Sequence, residues 1–191
     1  MSVKHPIISV TGSSGAGTST VKHTFQQIFR RESVSAATIE GDAFHRFDRS
    51  SMKKELEKRS GQGDLTFSHF SYDANLLNEL EKCFIDYSEF GKCKYRHYVH
   101  NEDEALEYGA APGTFTDWKE FNESSDLLFY EGLHGAVVNE EVNLAKHADL
   151  KIGVVPVINL EWIQKIHRDR DSRGYSTEAV TDTILRRMHA Y

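Results

Sequence analysis

The sequence predicts an α/β fold in which a mostly parallel sheet is covered by helices on both faces. A short apolar run at residues 7–10 enters a glycine-rich turn, a helical pattern follows at once, and further apolar runs alternate with helical patterns along the chain. Strands alternating with helices form parallel sheets, because the helices make the return crossings. We expect a single domain over residues 1–191 that lacks a C-terminal portion, since the last helical pattern reaches Tyr191 without a cap.

The individual elements follow from the spacing of apolar residues and the positions of turn formers. Helices are predicted after the glycine-rich turn to about residue 32, over the charged residues 53–59, over 76–87, after 162, and over 177–191. Strands are predicted at 34–39, 127–130 and 150–157, with a strand or hairpin at 95–100. Residues 101–121 contain Gly109, Pro112 and Gly113 and few periodic apolar positions, which predicts a loop or irregular insertion.

Composition and charge exclude several classes of protein. With 39% hydrophobic and 27% charged residues, the chain has the composition of an ordinary globular domain. A net charge of −6 argues against a broad nucleic-acid or membrane surface, so an anion site must be a local group of basic residues. The sequence offers no transmembrane run and no room for a leader, and Cys83 and Cys93 are predicted to be buried or incidental thiols of a reducing, cytoplasmic compartment.

The glycine-rich turn has the spacing of a phosphate-binding P-loop, which makes the predicted fold P-loop NTPase-like. The residues predicted to bind a nucleotide are Gly12, Ser13, Ser14, Gly15, Ala16, Gly17, Thr18, Ser19 and Thr20. The glycines let backbone N–H groups converge on phosphate, and Ser19 is the candidate ligand of Mg²⁺. Thr18 replaces the lysine of the motif, so a turn without a ligand stays an alternative; Lys165 is the leading substitute cation and Lys22 its rival.

Two carboxylates follow predicted strands, at the edge where open parallel sheets bind ligands. Asp42 is the candidate base that accepts a proton from the acceptor hydroxyl, and its alternative role is the N-cap of the next helix. Glu131 stands where a Walker-B carboxylate holds Mg²⁺, and its alternative is a strand-end carboxylate with a backbone partner. Gly132 and Gly135 allow a close backbone approach beside Glu131, which favours the metal site.

Basic residues are concentrated at 165–175 in an otherwise acidic protein. Lys165 and Arg168 share a face if the helix continues this far, and Asp169 lies among the arginines. This composition is typical of a lid that closes over phosphates, and the alternative is a solvated charged helix. Candidate contacts to a phosphorylated small molecule are His45, Arg46 and Arg49 in one segment and Tyr98 and His100 in another, although each alone is equally typical of ordinary surface.

These pieces together resemble the phosphoribulokinase family, in particular its proteobacterial type. The stretches that carry the resemblance span nearly the whole chain and are 12–20, 40–46, 67–75, 115–121, 127–138 and 155–180. The related uridine kinases share the glycine loop, an aspartate after the second strand and an RDxxxRG lid, here Arg168 to Gly174. They normally keep the P-loop lysine that Thr18 replaces.

The resemblance implies a kinase that uses ATP and Mg²⁺ to convert ribulose 5-phosphate to ribulose 1,5-bisphosphate in the reductive pentose phosphate (Calvin) cycle. It implies Asp42 as the base, Ser19 and Glu131 toward Mg²⁺, Lys165 and Arg168 on the transferring phosphoryl group, and Asp169 as a second acidic site residue. The implied ligands of the sugar phosphate are His45, Arg49, Tyr98, His100 and Arg173. Homo-oligomers, activation by NADH and inhibition by AMP are also implied, whereas Ala16 replaces the regulatory cysteine of the plant-type enzymes, so no thiol switch is expected.

Two alternatives stay open at this point. One is a uridine-kinase-like nucleoside kinase, which is disfavoured because a nucleoside has no phosphate for Arg49 and His100 to bind. The other is a catalytically silent, nucleotide-binding regulatory subunit. The presence of Asp42, Glu131 and Lys165 together argues against it, because a binding module needs no base.

Overall fold

A computed structural model describes residues 4–121 and 124–187, apart from the side chains of Ser172 and Arg187, and contains both strands and helices. In chain order the elements are β1 (Ile7–Gly12), α1 (Thr18–Arg31), β2 (Ala36–Glu40), α2 (Arg49–Gly61), α3 (Leu77–Phe90), β3 (Lys94–Tyr95), α4 (Glu102–Tyr108), β4 (Lys119–Glu120), β5 (Leu127–Gly132), β6 (Leu150–Val154), α5 (Ile158–Arg173) and α6 (Thr177–Arg187). A four-stranded parallel sheet has the order β2-β5-β1-β6, and β3 and β4 form a separate antiparallel pair.

Hydrophobic side chains cover both faces of the parallel sheet. Alternate residues of a strand point to opposite faces, so Leu128 and Phe129 of β5 enter different clusters. On one face, strand residues pack against α3 through Leu80, Phe84 and Tyr87. On the other face they pack against Val21, Phe25 and Phe29 of α1. Helices on both faces of a parallel sheet are therefore confirmed.

The described residues divide into two compact units. The first unit consists of 4–44, 77–97 and the described part of 117–156, and it contains all six strands with α1 and α3. The second unit consists of 45–76, 98–116 and 157–187, and it contains α2, α4, α5 and α6. The single domain over residues 1–191 stays a prediction.

The predicted loop over residues 101–121 is wrong in two places, because α4 and β4 lie within it. Helix α4 has no buried residue, so it has no apolar face that periodicity would detect. Polar caps define it instead: the side chain of Asn101 accepts a hydrogen bond from the Glu104 N–H at 2.9 Å, and Gly109 ends the helix in the left-handed conformation.

Other boundaries differ by smaller amounts from the prediction. The strand predicted to reach residue 157 ends at Val154, and the one predicted at 95–100 is reduced to β3 with an isolated bridge between Tyr98 and Phe115. Residues 188–191 of the last predicted helix lie outside the described residues. Cys83 and Cys93 are buried thiols without a disulfide, as predicted, and burial raises the pKa of Cys83.

Within 4–121 and 124–187, no helix is both long and apolar enough to cross a membrane.

Candidate functional site

The glycine-rich turn connects β1 to α1, and two of its glycines adopt the left-handed conformation. Gly15 and Gly17 have φ angles of 100° and 97°, in the left-handed region that favours glycine. Gly17 is the N-cap of α1, and it has no side chain that would occupy the space in front of the helix. The first N–H groups of a helix have no acceptor within the helix, and together with the helix dipole they favour an anion at this position.

Thr18 and Ser19 have different surroundings at the start of α1. Ser19 is exposed, so its hydroxyl is accessible to a metal ion. Thr18, in the position of the motif's lysine, donates a side-chain hydrogen bond to the Glu131 carboxylate. At this position the chain therefore has, in place of the cation of the motif, a hydroxyl that donates a hydrogen bond to Glu131.

Carboxylates converge at the carboxyl ends of β2 and β5. Glu40 and Glu131 are direct partners in the strand register, and Asp42 lies in the short 3₁₀ turn that follows β2. Burial raises the pKa of Glu131 above its ordinary value; the hydrogen bond from Thr18 and the charge of Lys22 oppose this, and the negative charges of Glu40 and Asp42 add to it. A divalent cation would relieve this repulsion, so the chemistry of the edge fits Mg²⁺.

The number of protein ligands also fits Mg²⁺ bound together with phosphate. Among the described residues, no group of three or more His, Cys, Asp or Glu side chains is arranged to hold a metal ion. Mg²⁺ usually takes one or two carboxylates and completes its shell with phosphate oxygens and water. Glu131 and Ser19 stay the predicted protein ligands for that mode of binding.

The alternative role of Asp42 as an N-cap is wrong. The N-cap of α2 is Asp48, whose side chain accepts a hydrogen bond from the Ser51 N–H at 2.6 Å. Asp42 is half-buried, and its charge raises the pKa of the neighbouring Glu131. It therefore belongs to the acidic edge of the sheet.

Lys22, the rival substitute for the missing lysine, is already paired with a carboxylate. Its Nζ lies 2.5 Å from Oε1 of Glu40, and its side chain is 15% exposed. Its positive charge also lowers the pKa of Glu131. Lys22 thus compensates the acidic edge.

Lys165 and Asp169 form a buried ion pair on α5, in the second unit. Their side-chain atoms Nζ and Oδ2 are 2.6 Å apart, and the two residues are 2% and 4% exposed. Arg168 and Arg173 approach the other carboxylate oxygen of Asp169, at 2.8 and 3.4 Å. One carboxylate therefore organises three cations.

The burial of this cluster changes the pKa of both partners. Burial lowers the pKa of Lys165, and the charge and hydrogen bond of Asp169 only partly offset this. Burial also acts to raise the pKa of Asp169, but the charges of Lys165, Arg168 and Arg173 outweigh it and hold that pKa below its ordinary value. Helix α5 continues to Arg173, so Lys165 and Arg168 share a face as predicted, and the alternative of a solvated helix is wrong for Lys165.

The second unit also brings together four of the residues predicted to bind the sugar phosphate. The rings of His45 and Tyr98 lie 6.1 Å apart between centroids, and those of Tyr98 and His100 lie 5.0 Å apart. Arg49 donates from Nη2 to the His100 carbonyl at 2.9 Å. The fifth residue, Arg173, belongs to the cation cluster on α5.

Two aromatic rings connect these two groups within the second unit. Nζ of Lys165 lies 5.7 Å from the centroid of the Phe70 ring. The centroids of the Phe70 and His69 rings lie 4.0 Å apart, and those of the His69 and His45 rings lie 6.0 Å apart. The cation cluster and the histidine–tyrosine group are thus parts of one packed arrangement.

Arg46 makes hydrogen bonds within the second unit, and its contact with a phosphorylated ligand stays a prediction. Its side chain donates to the carbonyl oxygens of Asp73 and Asn75, at 3.0 and 3.3 Å. These bonds fix residues 73–75 beside His45, which forms an isolated bridge with Asn75.

Sequence reasoning gave no role to Asn75, His69 or Arg96, which support the candidate site residues. Oδ1 of Asn75 lies 2.8 Å from Nδ1 of His45, and the His69 ring packs beside the His45 ring. In the first unit, Arg96 donates from Nε to the Ala43 carbonyl at 2.8 Å and so fixes the residue after Asp42. The only signal for Asn75 and His69 was their presence in the matched stretch 67–75.

Residues 7–191 match the family model described as "Phosphoribulokinase / Uridine kinase family". The chain belongs to this family. Among members, it is 73% identical over 191 residues to phosphoribulokinase 1 of Cereibacter sphaeroides, covering 100% of this chain and 66% of the relative. It is 65% identical over 188 residues to the phosphoribulokinase of Nitrobacter vulgaris, and the match covers 98% of this chain and 65% of that relative. The chain therefore spans slightly less than two thirds of the length of these relatives.

Solved structures of related proteins confirm the fold. Phosphoribulokinase from Rhodobacter spheroides superposes with a TM-score of 0.85 at 70% identity, covering 98% of this chain and 64% of that one. A possible uridine kinase from Bacillus stearothermophilus has a TM-score of 0.58 at 14% identity, covering 97% of this chain and 88% of that one, a likeness that shows the fold alone. The P-loop NTPase-like sheet flanked by helices is thus shared with kinases.

Proposed function

We propose that the protein transfers the γ-phosphoryl group of ATP to ribulose 5-phosphate and forms ribulose 1,5-bisphosphate in the reductive pentose phosphate cycle. The observation that carries this proposal is the presence of two groups suited to phosphate. One is the turn before α1, and the other is the set of cationic and histidine side chains that the second unit assembles around Arg49 and Arg173. A kinase for a phosphorylated acceptor needs both, whereas a nucleoside kinase needs only the first.

The proposed roles follow from the chemistry of each side chain. Residues 12–20 bind the phosphates of ATP, and Asp42 accepts the proton of the sugar hydroxyl as its oxygen attacks the γ-phosphorus. Lys165 and Arg168 stabilise the charge on the transferring group, and Asp169 holds these cations in place. The sugar phosphate is bound by His45, Arg49, Tyr98, His100 and Arg173. When bound by Ser19 and Glu131, Mg²⁺ would neutralise charge on the β- and γ-phosphates.

The proposal extends to regulation and assembly. We expect a cytoplasmic homo-oligomer without nucleic-acid or membrane partners, activated by NADH and inhibited by AMP. Its support is the resemblance to the proteobacterial phosphoribulokinases for assembly and effectors, and the net charge of −6 for the absence of nucleic-acid and membrane partners. Sedimentation at several protein concentrations tests the assembly, and initial rates with each effector test the regulation.

The acceptor is tested by incubating MgATP with ribulose 5-phosphate, unphosphorylated ribulose or uridine. Phosphorus NMR identifies the product, and the chain is assayed as it stands and extended to the length of the relatives. Bisphosphate from ribulose 5-phosphate alone supports the proposal. Phosphorylation of uridine would instead identify a nucleoside kinase, and bound ATP without any product in the extended protein would identify a nucleotide-binding regulator.

A further inference from the structure

Asn75 is a buried side chain whose amide orientation is fixed by the backbone around it. Its Nδ2 donates to the carbonyl oxygens of His69 and Ser71, at 3.0 and 2.8 Å. Carbonyl oxygens only accept hydrogen bonds, so a flipped amide would place Oδ1 against both of them and lose both bonds. The residue is 2% exposed, so water does not readily replace those bonds. Oδ1 of Asn75 therefore faces His45.

This orientation determines which nitrogen of His45 carries hydrogen in the neutral ring. Oδ1 of Asn75 lies 2.8 Å from Nδ1 of His45. An amide oxygen cannot donate, so Nδ1 must be the donor. Nε2 of the neutral ring then carries a lone pair that can accept a hydrogen bond, the reverse of the tautomer that predominates in free histidine.

The loop that carries Asn75 is itself held by buried hydrogen bonds. Ser68 and Ser71 are 2% and 3% exposed; the Ser68 N–H donates to Oγ of Ser71 at 2.9 Å, and the Phe70 N–H donates to Oγ of Ser68 at 3.2 Å. The Arg46 N–H donates to the Ala74 carbonyl at 2.8 Å, next to the bridge between His45 and Asn75. The Asn75 amide thus has little freedom to follow a change at His45.

We propose that Asn75 is a positioning residue that holds His45 as the Nδ1–H tautomer, so that Nε2 accepts a hydrogen bond from a hydroxyl of the phosphorylated sugar. This rests on the proposed function, in which His45 contacts the acceptor. A phosphate dianion has no hydrogen to give to that lone pair, whereas a sugar hydroxyl does. The guanidinium of Arg49 is the better partner for the phosphate, because it carries only donors.

Nitrogen NMR of the imidazole rings tests the tautomer directly, with the His45 signals assigned by their loss in His45→Asn. We expect a protonated Nδ1 and an unprotonated Nε2 in the unsubstituted protein, a measurement that requires no Asn75 variant to fold. Asn75→Leu should release the ring to the usual Nε2–H form, and Ser68→Ala, which perturbs the same loop without touching the amide, should leave it unchanged.

Steady-state kinetics tests the role of the hydroxyl in the same variants. Loss of one neutral hydrogen bond predicts that Asn75→Leu raises KM for ribulose 5-phosphate by about 5-fold, with kcat and KM for ATP little changed. An Nε2–H tautomer in the unsubstituted protein would overturn the assignment to Asn75. A shifted tautomer in Asn75→Leu with an unchanged KM would overturn the role of the hydroxyl. If the unsubstituted protein does not phosphorylate ribulose 5-phosphate, the proposed function fails, and the NMR result still decides the tautomer.

Discussion

Replacement of Asp169 by asparagine should destabilise the second unit more than replacement of its partner Lys165. In Asp169→Asn, Lys165 stays buried without a counter-charge, and breaking a buried pair in this way costs about 3–5 kcal/mol. In Lys165→Met, Asp169 keeps Arg168 and Arg173 at 2.8 and 3.4 Å, and methionine fills the apolar space of the lysine stem. We therefore expect Lys165→Met to lower the free energy of unfolding by about 2 kcal/mol, less than Asp169→Asn.

Urea unfolding followed by the fluorescence of Trp162 measures this difference. Trp162 lies on α5, one turn before Lys165, and Trp118→Phe removes the other tryptophan, which lies in the first unit. The double variant Lys165→Met/Asp169→Asn should be more stable than Asp169→Asn alone by about 1–2 kcal/mol, because it removes both charges together.

An exposed ion pair on the same helix provides the matched control. Arg170 and Asp171 are paired at 2.6 Å with side chains 48% and 56% exposed, so Asp171→Asn should leave the unfolding midpoint unchanged. The reasoning would be refuted if Lys165→Met and Asp169→Asn lowered the free energy of unfolding equally and the double variant lost the sum of the two amounts. Such a result would mean that the buried pair has no energetic coupling.

Three further predictions concern catalysis and pH. Asp42→Asn should leave the Kd for ATP, measured by calorimetry, near its original value while kcat falls about 10²- to 10⁴-fold. Lys165→Met should reduce kcat by about 10²-fold or more, whereas Lys22→Met, which removes a cation that compensates Glu40 and Glu131, should reduce it less than about tenfold. The folded-state pKa of Asp169 lies below its ordinary value near 3.8, so this group stabilises the native state above that value and loses its contribution as the pH falls further. Acid unfolding monitored at Trp162 should therefore be less steep in Asp169→Asn.

Each of these predictions has an outcome that contradicts it. A matching loss of ATP affinity in Asp42→Asn would assign that residue a structural role. Full activity of Lys165→Met would show that another cation compensates for Thr18. Identical acid profiles for Asp169→Asn and the unsubstituted protein, each normalised to its own stability at neutral pH, would show that the carboxyl of Asp169 titrates alike in both states.

The parts of the fold that depend on local sequence could be predicted. β1, the glycine-rich turn and α1 are adjacent in the chain, and the apolar period, the glycines and the helical period each appear in the residues that form them. Helix α4 could not be found in this way, because its caps at Asn101 and Gly109 define it and no apolar stripe accompanies them.

The chemistry of the site could be predicted only where residue type and strand position were sufficient. Glu131 ends an apolar strand, and that position alone indicates its place at the edge of the sheet. The burial of Lys165 depends on how α5 packs, which charge composition does not reveal. The bond from His45 to Asn75 joins residues 30 positions apart, so it requires the folded loop between them.

The bond between His45 and Asn75 also restricts how acceptor specificity can be redesigned. A substitution of His45 alone by an aliphatic residue leaves the buried Asn75 oxygen without its donor, a cost borne by folding before any new sugar is bound. Libraries that randomise position 45 alone would therefore lose stability in the members that have no donor opposite Asn75, and those that vary both positions together would sample a larger set of folded proteins. Over evolutionary time the same coupling should make the two positions change as a pair.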